Sequence, residues 1–211
     1  MFKNYIKIAF RTLSKNRLFS AVNIGGLALG ITSAVFILQY SFFEMSYDQF
    51  HTDHDNIYRV MNNRYEGEQL IQSGQITYSA VGPQMADDYP EIIRHSTVNN
   101  ANEILLRNED KIIKAEKALY ANQSFFDMFD FEILAGDAAN LLEDLYTTVI
   151  SESVARSLFE ITEDNFDKVI GTFVKVNQED NPTKVTGIVR DIPQNSHLTF
   201  DVALSRKTLF K

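Results

Sequence analysis

Residues 18–43 read LFSAVNIGGLALGITSAVFILQYSFF, and no charged side chain occurs between Arg17 and Glu44. A helix of this length extends about 39 Å, more than the roughly 30 Å hydrocarbon core of a bilayer. Thirteen of the 26 residues are Leu, Ile, Val or Phe. Together they favour insertion by about 4 to 8 kcal/mol before polar penalties. Ser20, Asn23, Thr32, Ser33 and Gln39 weaken that tendency without reversing it. The stretch therefore reads as a transmembrane helix over 18–43, with its core at about residues 21–43. A cleaved signal peptide is the competing reading. Its apolar region is about 7–15 residues long and ends at small residues, whereas the exit here is Tyr40-Ser41-Phe42-Phe43-Glu44. The span is accordingly read as uncleaved.

The flanks set an orientation. Lys3, Lys7, Arg11, Lys15 and Arg17 give residues 1–43 a charge of +5 with no acid, and residues 44–211 carry all 28 acids and the other 15 bases, a net −13. The positive-inside rule then places residues 1–17 in the cytoplasm and residues 44–211 outside it. In the opening segment, Phe2, Ile6, Phe10 and Leu13 recur at helical spacing, with Lys3, Lys7 and Arg11 on another face. That phasing suits a basic amphipathic helix on an anionic inner membrane surface; the alternative is a frayed basic flank that only sets topology. Within the span, Gly26-Leu27-Ala28-Leu29-Gly30 is a small-xxx-small pattern flanked by Asn23 and Thr32. Gly26 and Gly30 are the candidate helix-packing residues, since glycines let a second backbone approach. The alternative is that Gly is simply common in membrane helices.

The remaining composition is globular: of 211 residues, 45% are hydrophobic and 23% charged, and Cys is absent. That excludes disulfides, thiolate metal sites and a Cys nucleophile, and the acidic body excludes a phosphate-binding cationic face, so no nucleic-acid partner is expected. Strands are predicted at 57–61, 92–98, 103–107, 111–119, 147–150, 172–176, 184–189 and 198–204, with 172–176 and 184–189 forming a hairpin. A short helix within 78–89 ends at Pro90. Ser124 and Ser151 are N-cap candidates, for a turn carrying Phe125, Phe126 and Phe129 and for a helix over 152–159. No regular βαβ repeat is present, so the fold class is α+β: an N-terminal transmembrane helix followed by a mixed extracytoplasmic domain.

Chemistry is sparse. The sequence lacks a Gly-x4-Gly-Lys-Ser/Thr loop, Gly-x-Gly-x-x-Gly, Gly-x-Ser-x-Gly and His-Glu-x-x-His. No catalytic, cofactor-binding or metal-ligating residue is assigned. His51-Thr52-Asp53-His54-Asp55 offers two imidazoles and two carboxylates, but polar residues just past a membrane span are expected to cap and solvate a turn rather than bind a metal. His95 and His197 read as isolated structural or surface histidines. Phe125, Phe126, Met128, Phe129 and Phe131 read as a core-facing turn. The acidic pairs Asp87–Asp88, Glu163–Asp164 and Glu179–Asp180 read as solvated faces.

Several stretches, in order over nearly the whole chain, resemble the N-terminal part of an ABC transporter permease of the MacB/FtsX-like type. They are Asn23–Gly30, Tyr47-Asp48-Gln49-Phe50-His51, Asn56–Val60, Phe125–Phe131, Ala135-Gly136-Asp137, Val149–Ala155, Ile170-Gly171, Val185–Pro193 and Ser196-His197-Leu198. The resemblance implies a MacB-like periplasmic core domain over 44–211, here expected to be incomplete because such permeases continue into more of the domain and three further spans. It also implies a bacterial inner membrane location and an ABC ATP-binding subunit as partner. Additional permease spans or a second permease copy, and an envelope protein, are the other partners implied. The function expected is coupling of ATP hydrolysis by the partner to movement of the outer domain in export or extraction, with no catalytic residues in this chain. The alternative is a single-span sensor or scaffold with a ligand- or protein-binding outer domain; a membrane-anchored hydrolase is the third reading.

Overall fold

A computed structural model describes residues 2–109, 111–162 and 165–211, with the backbone alone for Phe2. Asp110, between the strands expected at 103–107 and 111–119, and the Glu163–Asp164 pair lie outside the described residues. The chain forms two compact units, Met1–Tyr47 and Asp48–Lys211.

The first unit is two helices, α1 (Phe2–Lys15) and α2 (Arg17–Met45). They break at Asn16, whose backbone leaves the helical region, and the Ser20 hydroxyl bridges the break by donating to the Leu13 carbonyl at 3.0 Å. α2 is apolar on all sides, and Ser20 is its one buried residue. Leu18, Phe19, Leu27, Leu29, Phe36 and Ile37 are each more than half exposed. A helix apolar all round lacks the amphipathic stripe of a surface helix in water. Its length and composition are those of a membrane-crossing helix. α1 keeps its two faces, with Ile6, Phe10 and Leu13 along one side and Lys3, Lys7 and Arg11 along another, all exposed.

The second unit is mixed α+β. A two-stranded ribbon, β1 (Asn62–Glu66) and β2 (Gln69–Gly74), precedes α3 (Val81–Asp88). The main sheet contains β3 (Asn99–Asn108), β4 (Lys111–Ala121), β5 (Ile133–Gly136), β6 (Thr147–Ser151), β7 (Phe173–Val176), β8 (Thr183–Val189) and β9 (Val202–Ser205). Its order is β5-β8-β6-β9-β4-β3-β7, and β7 also pairs with the start of β8, closing the sheet on itself. The β4/β9 and β6/β8 pairs are parallel and the others antiparallel.

Period-two alternation sorts the strand residues onto two faces. Ile150, Val202 and Leu204 join Leu106, Val185 and Ile188 in one apolar cluster, completed by Val154, Ala155 and Leu158 of α5 (Glu152–Phe159). Val149, Ala203 and Leu119 point the other way, onto Phe125 of α4 (Ser124–Met128) and onto Phe131 and Phe200. α5 begins where the sequence places it: the Ser151 side chain accepts from the Val154 N–H, and Glu160 ends the helix in the left-handed region.

Four local expectations are corrected. Residues 57–61 and 92–98 belong to no strand, because no neighbouring strand among the described residues completes a ladder for them. The final strand is shorter than 198–204: Leu198 and Phe200 precede β9 and reach the core from a loop. Ser124 is not an N-cap, since Gln123 is already helical and no side chain caps the turn; the Gln123 side chain instead donates to the Ala138 carbonyl at 2.8 Å and accepts from the Leu142 N–H at 3.0 Å. The β1–β2 ribbon went unread because Asn62, Asn63, Arg64 and Glu66 show no apolar alternation.

Candidate functional site

Gly26 and Gly30 lie one turn apart on α2, so they share a face. A Cβ built at either would meet nothing within 4 Å. The smooth strip is therefore open along the helix surface, as a packing face would need before its partner arrives. At the break between the helices, Thr12, Leu13, Asn16, Phe19, Ser20, Asn23 and Ile24 line a cleft of about 190 Å³.

The second unit opens with a dense set of contacts. The Asp48 carboxylate accepts from the Ser196 hydroxyl at 2.8 Å, from the His197 N–H at 3.0 Å and from His197 Nδ1 at 2.7 Å. The Asp48 N–H donates to the Asn195 carbonyl at 3.0 Å. Burial of Asp48 alone would raise its carboxyl, but the hydrogen bonds from His197 and Ser196 outweigh it and hold the group below the ordinary carboxylate value. A little further on, the Thr52 N–H donates to the Asp130 carboxylate at 2.5 Å and the Asp130 N–H donates to His51 Nδ1 at 3.1 Å. The segment 48–52 is thus stapled to the loops at 129–131 and 195–197.

His51 departs from the sequence reading. It is 2% exposed rather than solvated. Its ring lies 4.0 Å from that of Phe50, 5.1 Å from Phe129 and 5.6 Å from Phe131. His54 is the half-exposed member: its Nδ1 donates to the His51 carbonyl at 2.9 Å and its Nε2 lies 3.5 Å from Asp55. Among the described residues no three His, Asp or Glu side chains converge as a metal site requires. His197 is not isolated either, being the partner of Asp48. The sequence marks Asp48, Asp130 and Ser196 only as members of the permease-like stretches and assigns none of them a contact. Their signal was the distance in sequence between stretches that were individually unremarkable, which only folding brings together.

The Phe125 group is core, as expected: Phe125 is fully buried and its ring contacts those of Phe126, Phe129, Phe131 and Phe200. Asp87, Asp88, Glu179 and Asp180 are exposed. The cavity between Tyr120, Tyr146, Thr147 and Leu204 holds about 10 Å³, room for a single water.

The stretches that resemble permeases meet in pairs in this fold. Asp48–Thr52 reaches Phe129–Phe131 and Ser196-His197; Ala135-Gly136 lies against Thr186-Gly187; Ser153 is held by Asp191. An apolar helix long enough to cross a membrane thus precedes a mixed-sheet unit. The MacB-like periplasmic core domain family matches residues 20–210, and the chain belongs to that family. A domain assigned to a permease protein from Porphyromonas gingivalis is similar at 27% identity and a TM-score of 0.51, covering 62% of this chain and 57% of that one. The periplasmic region of MacB from Actinobacillus actinomycetemcomitans is similar at 17% identity and a TM-score of 0.45, covering 71% and 64%. The extracellular domain of the noncanonic ABC-type transporter YknZ from Gram-positive bacteria is similar at 16% identity and a TM-score of 0.38, covering 54% of each chain. The chain thus spans little more than half the length of the Porphyromonas domain. No curated protein sequence matches it.

Proposed function

We propose that this chain is a permease component of an ABC-type transporter in a bacterial inner membrane. Residues 1–17 lie on the cytoplasmic surface, 18–43 cross the bilayer and 44–211 form the extracytoplasmic core domain. An ATP-binding partner subunit hydrolyses ATP, and the domain outside moves in export or extraction of a substrate. The chain contributes no catalytic residue; its work is mechanical and partner-binding. The observation that carries this reading is that an apolar helix, Arg17–Met45, precedes the sheet-rich unit in a chain whose residues 20–210 match the MacB-like family.

Orientation follows from five bases before the span and the acids Glu44, Asp48, Asp53 and Asp55 after it. Gly26 and Gly30 are the face on which further permease spans or a second copy would pack. A phosphatase reporter fused after Lys211 is expected to be active and a cytoplasm-dependent reporter at the same point silent. The reverse pattern would overturn the orientation, and with it the assignment of 44–211 as the outer domain.

A further inference from the structure

His51 is a titratable side chain enclosed by Phe50, Phe129 and Phe131. Its Nδ1 accepts the Asp130 N–H, so the ring proton of the neutral imidazole sits on Nε2, which is buried with no hydrogen-bond partner among the described residues. The geometry points to His51 as an acid-sensitive latch: protonation of its imidazole releases residues 48–52 from the Phe129-Asp130-Phe131 stretch.

The first reason is hydrogen-bond polarity. An imidazolium carries N–H on both nitrogens and accepts nothing. Protonated His51 would set a donor against the Asp130 N–H, which is fixed by the backbone, and both would be left unsatisfied. The second reason is desolvation, because the charge would appear in a side chain that is 2% exposed among aromatic rings. Three titratable groups bear on it. Asp48 and Asp130 favour the charged ring and His54 opposes it. Both carboxylates are already engaged, Asp130 by the Thr52 N–H and Asp48 by Ser196 and His197. Burial outweighs them and holds the His51 ring below its ordinary value of 6.5. The neutral ring thus completes the staple, and the protonated ring breaks it at two points, the Asp130 N–H bond and the phenylalanine cage. Acidification of the compartment that bathes this unit would loosen its opening segment, residues 48–52.

The test uses the full chain in nanodiscs. Amide exchange protection factors, corrected for intrinsic exchange, are measured for residues 48–56 and 129–131 from about pH 7.5 to about pH 5, the window in which histidine titrates. Protection is expected to fall about threefold or more in the unmodified chain. It should stay level in His51→Asn, whose side-chain oxygen can still accept the Asp130 N–H but cannot titrate, and should still fall in His197→Gln. Level protection in the unmodified chain would overturn the latch. So would a response retained in His51→Asn or lost in His197→Gln, which would assign it to the Asp48–His197 pair. Should His51→Asn fail to fold, imidazole NMR of the unmodified chain decides. A His51 midpoint below 6.5, with the Asp130 amide shifting alongside, supports the latch, and a midpoint at or above that value overturns it.

Discussion

The contacts at Asp48 and His51 respond to pH in different windows. The Asp48 carboxyl lies below its ordinary 3.8 in the folded chain, so on acidification the unfolded chain takes that proton first. Its stabilisation is present above 3.8 and is lost as the pH falls through the folded value. His51 also lies below its ordinary value, here 6.5, so its neutral form is complete above 6.5 and the loss begins as the pH drops past it. Denaturant melts near neutral pH and near pH 5 therefore read His51 with Asp48 unchanged. Asp48→Ala removes acceptors for the Ser196 hydroxyl and for the backbone N–H and Nδ1 of His197, and a loss of about 1–3 kcal/mol is expected in urea unfolding of the second unit. Phe125→Ala, at a fully buried ring, should cost about 3–5 kcal/mol in the same measurement. A cost below that of Asp48→Ala would mean that the phenylalanine cluster is not the anchor of that sheet face.

Helix α2 and helix α5 show the two ways an element can be specified. α5 is set locally: Ser151 caps it, Asp191 receives the Ser153 N–H at 2.9 Å, and Val154, Ala155 and Leu158 face the sheet. Ser151→Ala should lower stability by about 1 kcal/mol in chemical denaturation, the ordinary worth of such a cap. α2 instead has a glycine strip open on its surface, with nothing within 4 Å of a Cβ placed at Gly26 or Gly30. Gly26→Leu should still insert, because Leu is favourable in hydrocarbon, but should weaken association in the membrane, because a branched side chain holds backbones apart. Crosslinking yield in membranes, compared with Val35→Leu on the same helix, checks this. Equal yields would show that Gly26 and Gly30 do not form the packing face. Elsewhere glycine is needed for a different reason: Gly136 has a φ of +108° and its Cα faces the Thr186 carbonyl so closely that a Cβ would collide with backbone.

Across the whole molecule the charge is divided, +5 before Glu44 and −13 after it. An acidic body repels a phosphate backbone, so the full chain in micelles should not retard duplex DNA in a gel at physiological salt. Retardation that persists after Lys3, Lys7 and Arg11 are replaced by Gln would contradict the charge argument. Much of this architecture was legible in the chain. The 26-residue uncharged run, the basic flank, the paired strands at 103–107 and 111–119, the 172–189 hairpin and the Ser151-capped helix are local patterns, written within a few residues of where they act. The tertiary structure decided what no local pattern records. The polar ribbon at 62–74 and the unpaired stretches at 57–61 and 92–98 depend on which neighbours complete a ladder. The burial of His51 depends on phenylalanines nearly eighty positions away. A periodicity reports which side of an element is apolar, whereas hydrogen-bond pairing and burial are properties of two segments at once, and the second segment is chosen only when the chain closes.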